Sequence, residues 1–456
     1  MTKDNIFTCK NKYIYFAALI GFGFFWTGTA YIVQSYRLLH FLDGDTVNLL
    51  VCGVYYVCQA AGISVVGFFF AKRPMVAGGR AFPFWSTIVT VACAAAAMFV
   101  SSIPIIIAAG ALMNVTIGML SGCYLTRLAT DIPQQRRGIV FGAAYAFGSI
   151  GTWLLSLPMH AKFLWSGLSF YAVAILAVAS LILLPFLSPP PRQSSSLEQL
   201  SPRFGKEIIW LAAALLFLIS LENTLGFSFP LKSASDSVYI EFARAFYAPG
   251  LIIAGLVSDK NRRWGAMCCL AALAFPFAAL ALGNSTVGMT VMWMIAYLFL
   301  GFWSTYRILL FSDISARRGL PGLAVVGLLA GRLGESAGTL GAKFLTGTPL
   351  IVVSGIVFAL VIVLFFSLYH KIYSPTINAE DMEKQRLLEY ASRFKLSPRE
   401  REIFNLIVQG MSNAEIATAL FITESTVKFH AGNIFKKTDL SSRSALIADY
   451  MLRDKN

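Results

Sequence analysis

Residues 348–370 read TPLIVVSGIVFALVIVLFFSLYH, a run without a single Asp, Glu, Lys or Arg. A helix rises about 1.5 Å per residue, so about 20 such residues cross the hydrocarbon core of a bilayer. Working outward from this run, the same pattern recurs at about 13–33, 46–70, 82–100, 103–126, 138–160, 166–187, 207–230, 237–258, 264–283, 287–311 and 320–341. With 348–370 that makes twelve expected spans. The composition agrees: of 456 residues 57% are hydrophobic and only 13% charged, with 37 phenylalanines. A soluble domain carries roughly twice that charged fraction. Disordered and disulfide-framework classes are excluded.

The formal net charge of +14 has to be located before it is interpreted. Roughly two basic residues stand for each acidic one up to residue 370, whereas the tail is nearly balanced, so the excess reports membrane topology before nucleic acid. About 17 basic residues fall at the N-terminus and in alternate loops, among them Arg136, Arg137, Lys260, Arg262, Arg317 and Arg318. The opposite loops hold about four: Arg37, Lys162, Lys232 and Lys343. The positive-inside rule therefore expects both termini in the cytoplasm and a multi-pass protein of the inner (cytoplasmic) membrane. Lys3, Lys10 and Lys12 precede an apolar run too long for a signal-peptide core, so no cleaved leader is expected.

Residues 188–206, rich in Pro and Ser, cannot bury a core and divide the spans into 1–187 and 207–370. The two sixes repeat one another. Asp131-Ile132…Arg136-Arg137-Gly138 recurs as Asp313-Ile314…Arg317-Arg318-Gly319, and Gly67…Ala71-Lys72-Arg73 as Gly255…Asp259-Lys260-x-Arg262-Arg263. Duplication of a six-helix unit produces such an offset. The segment Gly255–Arg263 resembles the loop signature of major facilitator transporters, which implies a six-plus-six helical bundle. Ala71 stands where the first-half copy of that signature carries its acid, a departure that favours sensing over transport.

All seven cysteines but Cys9 lie in apolar runs, without C-x-x-C or zinc spacing, and read as buried hydrophobes. No metal and no cofactor are expected. Neither H-E-x-x-H, G-x-S-x-G nor a P-loop occurs, so no enzyme and no catalytic residue are expected.

After His370 the composition becomes that of a soluble protein. Residues 371–394 are expected to form a connector containing an amphipathic helix, and 395–456 a small domain of four helices. Ser397-Pro398-Arg399-Glu400 and Ser412-Asn413-Ala414-Glu415 are capping boxes, and Gly410 is a helix stop. The text Leu396-Ser-Pro-Arg-Glu400, Gly410-Met-Ser-Asn413-Ala-Glu415-Ile-Ala and Thr423-x-x-Thr426-Val427-Lys428-x-His430-x-x-x-Ile434-x-x-Lys437 resembles the LuxR-type helix-turn-helix domain. That resemblance implies double-stranded DNA as partner, a recognition helix over Glu424–Lys437 in the major groove, and a homodimer formed through Ser442–Leu452.

On this helix Thr423, Ser425 and Thr426 are placed to hold phosphate at its N-terminus, and Lys428 to reach a guanine edge. His430, Asn433, Lys436, Lys437 and Arg443 complete the expected DNA-binding set. Gly432 stands where many relatives carry a second polar reader.

Charges within spans are costly and default to function. Glu222, Arg332 and Glu335 are the expected ligand-binding residues, whereas Arg307 is expected to snorkel from the end of its span. The fold class is thus all-α, a twelve-helix membrane bundle with a C-terminal helix-turn-helix domain. The expected function is a membrane-embedded one-component regulator responding to a small molecule, the alternative being an active transporter with an appended DNA-binding domain.

Overall fold

The computed structural model describes residues 9–72, 81–160, 206–233, 240–282, 285–373 and 379–452. The chain divides into two compact units, Met1–Ser374 and Pro375–Asn456. Every described element is helical.

In the membrane unit α1 (Cys9–Leu39) leads to a short α2 (Gly44–Asn48), a π-helical turn (Leu49–Val54) and α3 (Tyr55–Lys72). Then come α4 (Ala81–Phe99), α5 (Ile103–Asp131) and α6 (Gln134–His160). The second half contains α7 (Lys206–Ser233), α8 (Ile240–Arg244), α9 (Tyr247–Lys260), α10 (Arg262–Ala272) and α11 (Phe275–Leu282). It closes with α12 (Thr286–Arg318), a 3-10 turn (Pro321–Val325), α13 (Val326–Phe344) and α14 (Thr348–Tyr373). Seven of the described helices are long and apolar enough to cross a membrane. The expected sixth span, 166–187, lies outside the described residues, as does the linker except for Lys206.

Two expected spans are broken, and the sequence contains the cause. Pro249 and Pro276 have no N–H to give the carbonyl four residues back, and their rings collide with it. Those carbonyls belong to Ala245 and Ala272, and the breaks fall there, between α8 and α9 and between α10 and α11.

The repeat seen in the sequence reappears in the packing. Helix α1 lies along α6 as α7 lies along α13, and α3 along α5 as α9 along α12. The halves meet where α6 packs on α9 and α3 on α13. Glycines set the first of these contacts: a Cβ on Gly138 would lie 2.5 Å from the Gly255 carbonyl, and one on Gly255 2.4 Å from that of Gly138. In lipid, where apolar burial provides no drive, this close approach supplies the packing that holds helices together. The outer surface is apolar, with Trp85, Phe99, Trp210, Trp264, Val287 and Val363 all exposed, the arrangement a hydrocarbon solvent demands.

The second unit comprises α15 (Ala379–Arg393), α16 (Pro398–Val408), α17 (Asn413–Ala419), α18 (Glu424–Thr438) and α19 (Arg443–Leu452). Both expected capping boxes form, and Gly410 follows α16 at φ +88°, a conformation that costs glycine nothing. Its core is Ile403, Phe404, Ile407, Ile416, Val427, Ile434 and Leu446. Tyr390 of α15 stacks on Phe404 at 4.9 Å, so the connector helix belongs to this unit's core.

Candidate functional site

In the second unit α18 begins at Thr423, whose hydroxyl accepts from the Thr426 N–H and exchanges hydrogen bonds with Ser425 and Thr426. This hydroxyl cluster sits on a helix N-terminus, a place suited to phosphate. Val427, Ala431 and Ile434 face the core, which turns Ser425, Lys428, Phe429 and Lys436 outward. His430 and Asn433 are half-buried along the edges of that face, and Gly432 lies between Lys428 and Lys436, where a Cβ would meet nothing within 4 Å.

Two expected DNA contacts hold other partners in the free unit. Lys437 donates to Glu400 at 2.6 Å and to the Lys395 carbonyl at 3.2 Å, fastening α18 to the start of α16. Arg443 donates to the carbonyls of Met411 and Ile407. Burial pushes the Glu400 carboxyl up, but the Lys437 hydrogen bond and the Ser397 N–H outweigh it and hold the group below the ordinary carboxylate range. Phe429, 65% exposed beside Lys428, is a surface feature that the sequence reading passed over.

At the end of the membrane unit where α6 begins, the halves are locked together. Asp259 accepts from the backbone N–H groups of Gly138 and Ile139, both at 2.7 Å, in the second turn of α6. Arg262 pairs with Asp259 and with Asp313, each at 2.9 Å, and donates to the Gln134 carbonyl. Arg137 reaches Asp313 at 2.9 Å and is buried. The second-half loop motif thus makes a complete polar lock. In the degenerate copy Gly67 packs instead against Val325, where a Cβ would lie 3.0 Å from its side chain.

A cavity of about 510 Å³ lies nearer the opposite ends of the helices, between the α2–α3 path, α7 and α13. Asn48, Cys52, Tyr56, Asn223, Thr339 and Glu335 are in its wall. The π-helical turn supplies Cys52, and its Gly53 carbonyl, displaced from regular α pairing, accepts from Ser336 of the other half at 2.8 Å.

Of the three expected ligand residues the structure brings two together. Glu335 receives Arg307 at 2.5 Å on one oxygen and Arg332 at 2.6 Å on the other. Arg332 stacks over Tyr56 and Arg307 over Trp303, both at 4.2 Å. Glu222 is elsewhere engaged, accepting from Ser354 of α14 at 2.6 Å, although its neighbours Asn223 and Thr224 line the cavity. Arg307 does not snorkel. It is 3% exposed, because Glu335 supplies a counter-charge and Gly331 leaves it room; a Cβ there would lie 3.0 Å from the guanidinium.

The first half, poor in charge, carries an amide network instead. Gln59 donates to Asn114 at 2.7 Å and Asn114 to Gln34 at 3.4 Å, joining α3, α5 and α1. Neutral amides in apolar helices were the available signal, and attention to charge alone missed it.

Residues 395–449 match the family described as bacterial regulatory proteins, luxR family. The spore germination protein GerE of Bacillus subtilis is 40% identical over 63 residues, 14% of this chain and 85% of that protein. The nitrate/nitrite response regulator protein NarL of Escherichia coli is 55% identical over 49 residues, 11% of this chain but only 23% of that protein. The fold resembles that of a major facilitator superfamily transporter, FucP, solved in an outward conformation: TM-score 0.56, 12% identity, 77% of this chain and 98% of that one. At that identity the likeness concerns the fold alone.

Proposed function

This chain belongs to the luxR family of bacterial regulatory proteins, and from that premise we propose that it is a membrane-embedded one-component transcriptional regulator. The observation carrying the reading is that one chain joins an exposed recognition helix to a polar-lined membrane cavity. The cavity receives a small-molecule signal, and the DNA-reading unit responds. Glu335 stands in the cavity wall and Arg332, paired with it, completes the ligand-facing group; Glu222, next in the chain to Asn223 of the wall, is joined to α14 through Ser354.

In this reading the protein lies in the cytoplasmic membrane of a bacterium with both termini inside, an orientation the distribution of basic loop residues favours. The polar lock is then at the cytoplasmic end and the cavity toward the outside. On DNA, Lys428 reads a base edge, Thr423, Ser425, Thr426 and Lys436 hold phosphates, and His430 and Asn433 lie along the edges of the contact. Lys437 and Arg443 join once their N–H donors are shared between their intramolecular carbonyl and carboxylate partners and the phosphates of the DNA. Two copies pair through α19, because one module alone is too small and too weakly charged for specific affinity. Regulation is the function, and no catalytic chemistry is assigned to any residue.

A ligand shifts a conformational equilibrium only by its differential affinity for the two states. The lock and the cavity supply two such states, since opening one end of a two-half bundle closes the other. The test is a reporter driven by the promoter nearest the gene, in cells carrying the full chain or a variant with about 20 Gly/Ser residues inserted after Tyr373. Loss of response with retained DNA occupancy supports signalling through α14. A normal response in the insertion variant makes the membrane unit an anchor or an independent transporter.

A further inference from the structure

Beside the cavity two guanidiniums, Arg307 and Arg332, share one carboxylate, that of Glu335. Both oxygens of Glu335 are taken, one by Arg307 and one by Arg332, and the Nε atoms of both arginines are buried with no partner. Glu222 pairs with neither arginine; one of its oxygens accepts from Ser354. At the cavity rim Asp45 and Lys343 cancel formally, so the wall and the triad beneath it together carry one positive charge in excess. An uncompensated charge in a low-dielectric interior is costly, and such charges are normally paired or compensated by a bound ion.

We propose that the cavity binds a small organic anion, a carboxylate with further polar groups, whose charge compensates Arg332. Of the two arginines Arg332 is the more accessible, its side chain 19% exposed against 4% for Arg307. It lies over Tyr56, which is itself part of the cavity wall. A planar guanidinium fork matches a carboxylate in two parallel hydrogen bonds. Asn48, Asn223 and Thr339 offer neutral donors and acceptors for the rest of the molecule. The ligand carboxylate takes up the surplus guanidinium charge, and Glu335 keeps Arg307. The proposal rests on the sensor reading only in taking this cavity as the signal's site.

The experiment measures thermal unfolding of the full chain in zwitterionic nanodiscs at constant ionic strength, with acetate, gluconate or benzoate added. Sorbitol is the neutral counterpart of gluconate, and glucosamine the cationic probe. Gluconate is expected to raise the midpoint and sorbitol and glucosamine to leave it unchanged. R332Q removes the response and, by removing the surplus charge, leaves the unliganded protein at least as stable as the wild type. R332K keeps the charge without the fork and weakens the apparent affinity about tenfold. Should R332Q fail to fold, R332K carries the same test.

No shift with any of the three carboxylates overturns the proposal, as does an equal shift with sorbitol or a shift with glucosamine. Protection in phosphatidylglycerol discs without added carboxylate, lost in R332Q, assigns the charge to a lipid phosphate and also overturns it. Gluconate binding without a change in reporter output leaves the anion site standing and removes the sensor reading. A reporter response to a neutral compound through this cavity does the reverse.

Discussion

At the level of single residues, the contacts proposed for α18 divide into one reader and several phosphate holders. Lys428 is exposed at the outward face, so Lys428→Ala is expected to cost about 1–3 kcal/mol on the operator and little on random DNA, measured by titration of both. Lys436→Ala is expected to weaken both alike and lower the salt slope by about one unit. Lys437 is different, since its ammonium is already held by Glu400. Lys437→Ala should therefore lower the unfolding free energy of the 375–456 unit by about 1–2 kcal/mol, seen in urea titration, besides any loss of DNA affinity. The same ion pair sets an acid limit. The folded Glu400 carboxyl lies below its unfolded value, so its contribution is complete above about pH 4.3 and is lost as pH falls through the folded value. Glu400→Gln should flatten the pH dependence of that unit's stability below about pH 5, and an unchanged profile would count against the pair.

Among the elements, α6 and α9 show how sequence motif becomes lock. Two glycines bring the helices into backbone contact, and that contact places Asp259 against the second turn of α6. A hydrogen bond to a charged acceptor contributes about 1.5–3 kcal/mol. Asp259→Asn should therefore loosen this end, read as faster amide exchange at Gly138 and Ile139 in the full chain, with α10 and α11 unchanged. Ala71→Asp in the degenerate copy tests the complementary point. If the missing acid is what distinguishes the two loops, restoring it should slow exchange at the 3-10 turn Pro321–Val325, against which Gly67 packs. No slowing would mean that the first-half loop lacks more than its acid.

For the molecule as a whole, the connection between units is the decisive quantity. Helix α14 is apolar apart from a few hydroxyls and its basic last turn, yet buries Ser354 against Glu222, and it ends at Tyr373 just before the DNA-reading unit. Ser354→Ala removes the hydroxyl that donates to the Glu222 carboxyl and is expected to change the reporter response of the full chain at unchanged protein level; an unaltered response would refute transmission through α14. The apolar runs, the alternating loop charges and the capping boxes of the tail were legible in the chain itself, because each depends on local spacing and on the solvent each face meets. The breaks before Pro249 and Pro276 were legible too, had the prolines been weighed against span length. The fate of each intramembrane charge was not. Arg307 looked like a snorkelling side chain because position along a span says nothing of what faces it, and only the packing of α12 on α13 brings Glu335 within 2.5 Å. Local sequence determined that the chain is helical, where its long apolar runs lie and how the helices of the tail are capped; tertiary packing alone decided which buried charges find partners, because the cost of a charge in low dielectric is set by atoms far away in the chain.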